Sequence, residues 1–69
     1  MAIMNKLWMT GSLEWFARMG EEEVFLGKRE VPIPLEEGDS WTNEFGDVFR
    51  VEQYEIRRVG KVEPPSKYW

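Results

Sequence analysis

Leu13-Glu14-Trp15-Phe16-Ala17-Arg18-Met19 decides the fold. Its apolar and polar residues alternate with a period of two. Leu13, Trp15, Ala17 and Met19 fall on one side, and Glu14, Phe16 and Arg18 on the other. A half-buried β-strand has this pattern, because successive side chains leave a strand on opposite faces. The rival reading is a short helix over 12–19, N-capped by Ser12 and stopped by Gly20. Seven residues between cap and glycine make a marginal helix. Trp15, Phe16 and Met19 would also be spread around its circumference. The strand is therefore preferred.

Working outward, the same period continues. Ile3-Met4-Asn5-Lys6-Leu7-Trp8-Met9-Thr10 is extended and Gly11 supplies a turn, so residues 3–19 form a hairpin. Gly20-Glu21-Glu22 is the next turn, and Val24 to Val31 the third strand. Gly27 inside that strand marks a bulge or a close backbone approach. Pro32 and Pro34 cannot donate to a ladder and end it. Glu37-Gly38-Asp39 turns the chain into a short strand, Ser40-Trp41-Thr42-Asn43. After a second turn at Glu44-Phe45-Gly46-Asp47 comes one long strand, Val48 to Val59. Phe49 and Val51 share one parity within it, whereas Tyr54 and Ile56 have the other. A bulge near Glu52-Gln53 would bring both pairs inward and curl the sheet. The expectation is all-β: a small five-stranded antiparallel barrel or strongly twisted sheet over residues 1–60, with a Pro-containing tail over 61–69.

The run Val31-Pro32, Leu35-Glu36-Glu37-Gly38-Asp39-Ser40-Trp41 and Phe45-Gly46-Asp47-Val48-Phe49-Arg50-Val51 resembles a pattern of small uncharacterised phage and bacterial proteins. The resemblance covers residues 31–51. It implies an SH3-like β-barrel and a phage-encoded accessory protein, and it transfers no functional residue.

Composition narrows the function. The 69 residues include no His and no Cys, which removes the commonest general base, the commonest metal ligand and the best nucleophile. Ser12, Ser40 and Ser66 therefore have no imidazole to activate them. Asp39, Asn43 and Asp47 offer oxygen ligands, but not at EF-hand spacing. No catalytic residue, metal or cofactor is expected. No apolar run approaches the roughly 18 residues of a membrane span. The N-terminus lacks a signal-peptide pattern. A soluble cytoplasmic protein is expected.

Contact chemistry remains. The chain has four Trp, four Phe, two Tyr and four Met, more aromatic surface than a core of this size readily hides. With Leu7, Trp15, Leu26, Trp41, Phe49, Val51 and Ile56 assigned to the core, Trp8, Phe16, Phe45, Tyr68 and Trp69 are left as partner-binding candidates. The net charge is −4, and the acids come in clumps. Glu21, Glu22, Glu23, Glu36, Glu37 and Asp39 form a second candidate set. They would dock on a basic protein by mimicking nucleic-acid phosphates, as an inhibitor of a host complex would.

The principal alternative is single-strand nucleic-acid binding through Arg50, Arg57, Arg58 and Lys61, interleaved with Phe49 and Tyr54. A net negative chain starts at a disadvantage there. A further alternative is a structural part of a virion or oligomer, and homodimerisation is plausible at this size.

Overall fold

A computed structural model describes residues 3–62. Within them six strands follow one another: β1 (Leu7–Met9), β2 (Trp15–Met19), β3 (Glu22–Gly27), β4 (Ser40–Thr42), β5 (Asp47–Glu52) and β6 (Glu55–Lys61). They form two antiparallel three-stranded sheets, β1-β2-β3 and β4-β5-β6. The all-β expectation holds. The deciding stretch is a strand, not a helix, and its alternation is real: Ala17 is fully buried between outward-facing Phe16 and Arg18. Leu13 departs from the inward set. It lies in the turn before β2 at φ 62 and is 62% exposed.

Other strand boundaries also move: β1 covers only Leu7–Met9 of the stretch expected to be extended over 3–10. β3 begins at Glu22 and stops at Gly27, well before the prolines. Gly27 has φ 131, a conformation glycine tolerates and other residues avoid. Trp15 faces Gly27 while Phe16 faces Phe25, so Leu26 is the extra residue of a β-bulge. β6 runs to Lys61, one residue past the expected domain edge.

The larger correction concerns residues 48–59. They are not one strand but a hairpin, with Val51 opposite Ile56 and Glu52 opposite Glu55. Gln53 and Tyr54 form the two-residue turn, with φ of 55° and 63°. Two successive left-handed residues make a type I′ turn, whose twist suits a two-residue hairpin. The change of parity between Val51 and Ile56 is thus a reversal of chain direction, not a bulge. Tyr54 is exposed at the tip. The turn is held from outside: the Glu37 carboxylate accepts hydrogen bonds from the amides of Gln53 (2.7 Å) and Tyr54 (2.9 Å).

The core lies between the sheets. Ala17, Val24 and Leu26 come from the first, and Trp41, Phe49, Val51 and Ile56 from the second. Val31 and Leu35 from the β3–β4 connection complete it, with Leu7 and Trp15 packed at its edge. At roughly 25 cal/mol per Å2, burying Phe49, Leu26 and Val51 contributes about 1.5–3 kcal/mol each.

The sheets do not close into a continuous barrel. Single hydrogen bonds join them at two corners instead. At one corner the Met4 amide donates to the Tyr54 carbonyl (2.8 Å) and the Ile56 amide to Asn5 Oδ1 (2.8 Å). At the other, Trp41 Nε1 donates to the Leu26 carbonyl (2.9 Å) and Asn43 Nδ2 to the Phe25 carbonyl (2.9 Å). The free edge of β3 is thereby capped by side chains, which satisfies buried acceptors and blunts the edge.

Candidate functional site

The outer face of the first sheet carries an aromatic row. Trp8 on β1 is the register partner of Phe16 on β2, and Phe16 that of Phe25 on β3. Directly opposed residues on one face of an antiparallel sheet bring their side chains into contact. Trp8 and Phe16 stack at 5.9 Å between ring centroids with their planes 11° apart. Phe16 meets Phe25 at 5.5 Å, and Phe25 meets Phe45 edge-on at 5.4 Å. Phe45 comes from the β4–β5 loop, so the row spans three strands of one sheet and ends on the other. It is 59% exposed. The first three rings are half-buried, each shielded by its neighbours.

Asn43 sets the position of Phe45. It is the one buried polar side chain among the described residues, at 4% exposure. Its Oδ1 accepts the amides of Phe45 and Asp47, both at 3.0 Å, while Nδ2 holds the Phe25 carbonyl. One amide group thus fixes the loop and ties it to the strand that carries the neighbouring ring. Next to the row, Arg18 pairs with Glu23 at 2.8 Å, also a register pair on this face.

Of the five aromatic candidates from the sequence, three meet in this row: Trp8, Phe16 and Phe45. Tyr68 and Trp69 lie outside the described residues. Phe25 was missed. The signal was present, since Val24 and Leu26 flank it with opposite parity, but Gly27 suggested a backbone feature there rather than a contact face. Asn43 was considered only as a loop oxygen.

The acidic candidates do not share one role. Glu22 pairs with Arg58 (3.4 Å) and Glu23 with Arg18. Glu37 holds the β5–β6 turn, and Asp39 Oδ2 accepts the Glu36 amide (2.9 Å). Glu21 and the Glu36 carboxylate have no such partner among the described residues. No hydrogen bond or ion pair among the described residues joins the 21–23 group to the 36–39 group.

The basic candidates are each paired with a carboxylate: Arg50 with Glu52 (3.8 Å), Arg57 with Glu55 (3.0 Å), Arg58 with Glu22, and Lys61 with Asp47 (3.8 Å). These are exposed pairs of small energetic weight, yet they lower the local positive potential. Phe49, expected among them as a stacking ring, is fully buried against Trp41.

On the opposite side of β2 from the row lies an open groove of about 600 Å3. It is lined by Met9, Leu13, Trp15, Val31 and Ile33, with Lys28, Arg29, Glu30 and Glu44 among its polar residues. Glu30 folds back toward Gly27, its carboxylate accepting the Lys28 amide. Among the described residues, no group of three acidic side chains is placed to hold a metal ion. No helix among them is long and apolar enough to cross a membrane. Comparison with family models, curated proteins and solved structures gives no match.

Proposed function

We propose that this chain is a non-enzymatic protein-binding module, and that its contact surface is the row Trp8-Phe16-Phe25-Phe45. The observation that carries the reading is the continuity of the row up to an exposed phenyl ring that a buried asparagine holds in place. A ring kept out in solvent by a dedicated loop is poorly explained by internal stability alone. Rigid aromatic side chains are the usual anchors of protein interfaces, because they bring much apolar area at little entropic cost. The finer fold expectation, an SH3-like barrel, is compatible with two small sheets joined at their corners and belongs to this proposal. So does the idea of a phage-type modulator of a host complex.

Acidic mimicry is the weaker form of this reading. Four of its six residues already serve internal contacts, whereas the aromatic set is brought together. Nucleic-acid binding has less support, since its cations are paired and its central ring is buried.

Affinity capture with two variants tests the reading. Phe16→Thr/Phe45→Ser removes two rings of the row, and Glu21→Gln/Glu36→Gln removes the two unengaged acids. A protein retained by the wild type and by the acid variant, and lost from the ring variant, is the expected result. Retention by the ring variant with loss from the acid variant would overturn it.

A further inference from the structure

Among the described residues, the outer edge of β1 is unguarded, and the ladder to β2 fixes what that edge offers. The Arg18 amide donates to the Lys6 carbonyl and the Thr10 amide to the Glu14 carbonyl, both at 3.0 Å. Leu7 lies opposite Ala17, Trp8 opposite Phe16 and Met9 opposite Trp15. Ladder bonds alternate along an antiparallel strand. Lys6, Trp8 and Thr10 therefore bond to β2, and the amides and carbonyls of Leu7 and Met9 point away from it. Those groups have no other hydrogen-bond partner among the described residues. The other sheet edges are defended. Trp41 and Asn43 bridge the edges of β4 and β3. β6 carries Arg57, Arg58 and Lys61, and Asn5 takes its Ile56 amide. β1 reads Leu7-Trp8-Met9, with no charge, no proline and no bulge, and such an edge invites another strand. We propose that β1 of a second copy takes it, running antiparallel about a two-fold axis at Trp8, so that the chain is a homodimer.

Three observations choose a second copy over another occupant. The first is bonding parity. With Trp8 opposite Trp8, Leu7 of each copy lies opposite Met9 of the other. Both residues present amide and carbonyl outward, so each pair exchanges both ladder bonds and the edge is self-complementary. The second is the side chains. On the outer face, the two Trp8 residues form a non-hydrogen-bonded pair, with Cα atoms about 4.5 Å apart. That spacing brings two indoles into contact. The aromatic row of each copy, which reaches its sheet edge at Trp8, then runs on into the row of the other. On the inner face, Met9 is 49% exposed. It is covered by Leu7 of the second copy, which already packs at its own core. The third is charge. Lys6 and Glu14 lie at opposite ends of the outer face of the β1–β2 hairpin. Antiparallel pairing sets Lys6 against Thr10 of the second copy and, one strand further, toward its Glu14. Lys6 has no ion-pair partner among the described residues, and Glu14 has only Lys28 at 3.9 Å. Two-fold symmetry makes this match twice.

Edge-to-edge pairing leaves the outer face of the sheet uncovered, so the aromatic row stays open to a partner. The homodimer does not rest on the function proposed above, and either can fail without the other.

Sedimentation equilibrium and nuclear Overhauser contacts on the full chain test it. The expected result is a dimer with a contact between the Leu7 and Met9 amide protons. Within one extended strand those amides are about 6–7 Å apart, so a strong contact between them comes from pairing of two copies. Met9→Lys, at an exposed position, sets a charge against Leu7 of the other copy and should leave a folded monomer. Lys6→Glu should weaken dimerisation several-fold, and adding Glu14→Lys should restore it, a recovery that a folding defect would not give. A wild type that stays monomeric at its highest soluble concentration would overturn the proposal. So would a dimer without the Leu7–Met9 amide contact, or one that Met9→Lys leaves undiminished. Slow amide exchange at Leu7 and Met9 in a monomer would overturn it too, since another part of the same chain would then take the edge.

Discussion

Asn43 and Glu37 show how much single side chains contribute when the core is small. Asn43 satisfies two amides and one carbonyl in a partly buried loop. Removing its amide group leaves these groups unpaired, each loss costing about 1 kcal/mol or more. Asn43→Ala should therefore lower unfolding free energy by about 2–4 kcal/mol, measured by urea denaturation. It should also release Phe45 from Phe25, seen as loss of the ring-current shifts between them. Glu37 is exposed, so its charge-assisted bonds to Gln53 and Tyr54 are partly screened. Glu37→Ala should cost about 1–2 kcal/mol on the same measurement, with Glu37→Gln recovering part of it. An undiminished urea midpoint in Glu37→Ala would mean that the β5–β6 turn holds itself. Neither role could be inferred from the local sequence. Asn43 and Glu37 each act on partners that are distant in the chain, at Phe25 and at Gln53-Tyr54.

The β5–β6 hairpin was hidden because its turn residues give no turn signal. Type I′ turns favour Asn followed by Gly, which tolerate positive φ. Gln53-Tyr54 adopts that conformation at a cost in strain and has Glu37 to secure it. Combining Gln53→Asn with Tyr54→Gly should relieve the positive-φ strain and stabilise the protein by about 0.5–1 kcal/mol net of the added freedom of the unfolded chain. A double variant no more stable than the wild type in urea would mean that Tyr54 compensates through contacts of its own. Elements whose period was unbroken were legible in place, though not always in extent. β2 follows the alternation of Trp15 to Met19, β4 centres on Trp41, and Gly27 lies in the bulge anticipated there. The candidate site was partly legible for the same reason. Parity alone placed Phe16 outside, whereas the meeting of Trp8, Phe25 and Phe45 depends on strand register and on the loop fixed by Asn43, which local periodicity does not encode.

At the scale of the whole molecule, two small sheets share one core, and an aromatic row lies on the outer face of one of them. Corner bonds such as Trp41 Nε1 to the Leu26 carbonyl hold the sheets together in place of a closed ladder. Trp41→Phe keeps most of the packing volume but orphans that carbonyl. It should cost about 1–3 kcal/mol in urea denaturation, and a cost near zero would show that this corner is not needed. The aromatic row lies outside the core, so its rings can be altered with less damage. Phe45 touches Phe25 at its edge, and such a pair contributes about 0.5–1.5 kcal/mol. Binding through the row therefore separates from folding in a single variant. A binding isotherm of the captured partner with Phe45→Ser, with urea stability measured on the same sample, reads both. Affinity should weaken by at least about 30-fold, the loss of a ~2 kcal/mol interface anchor, while stability falls by no more than about 1.5 kcal/mol. Unchanged affinity in a folded Phe45→Ser protein would contradict binding through the aromatic row.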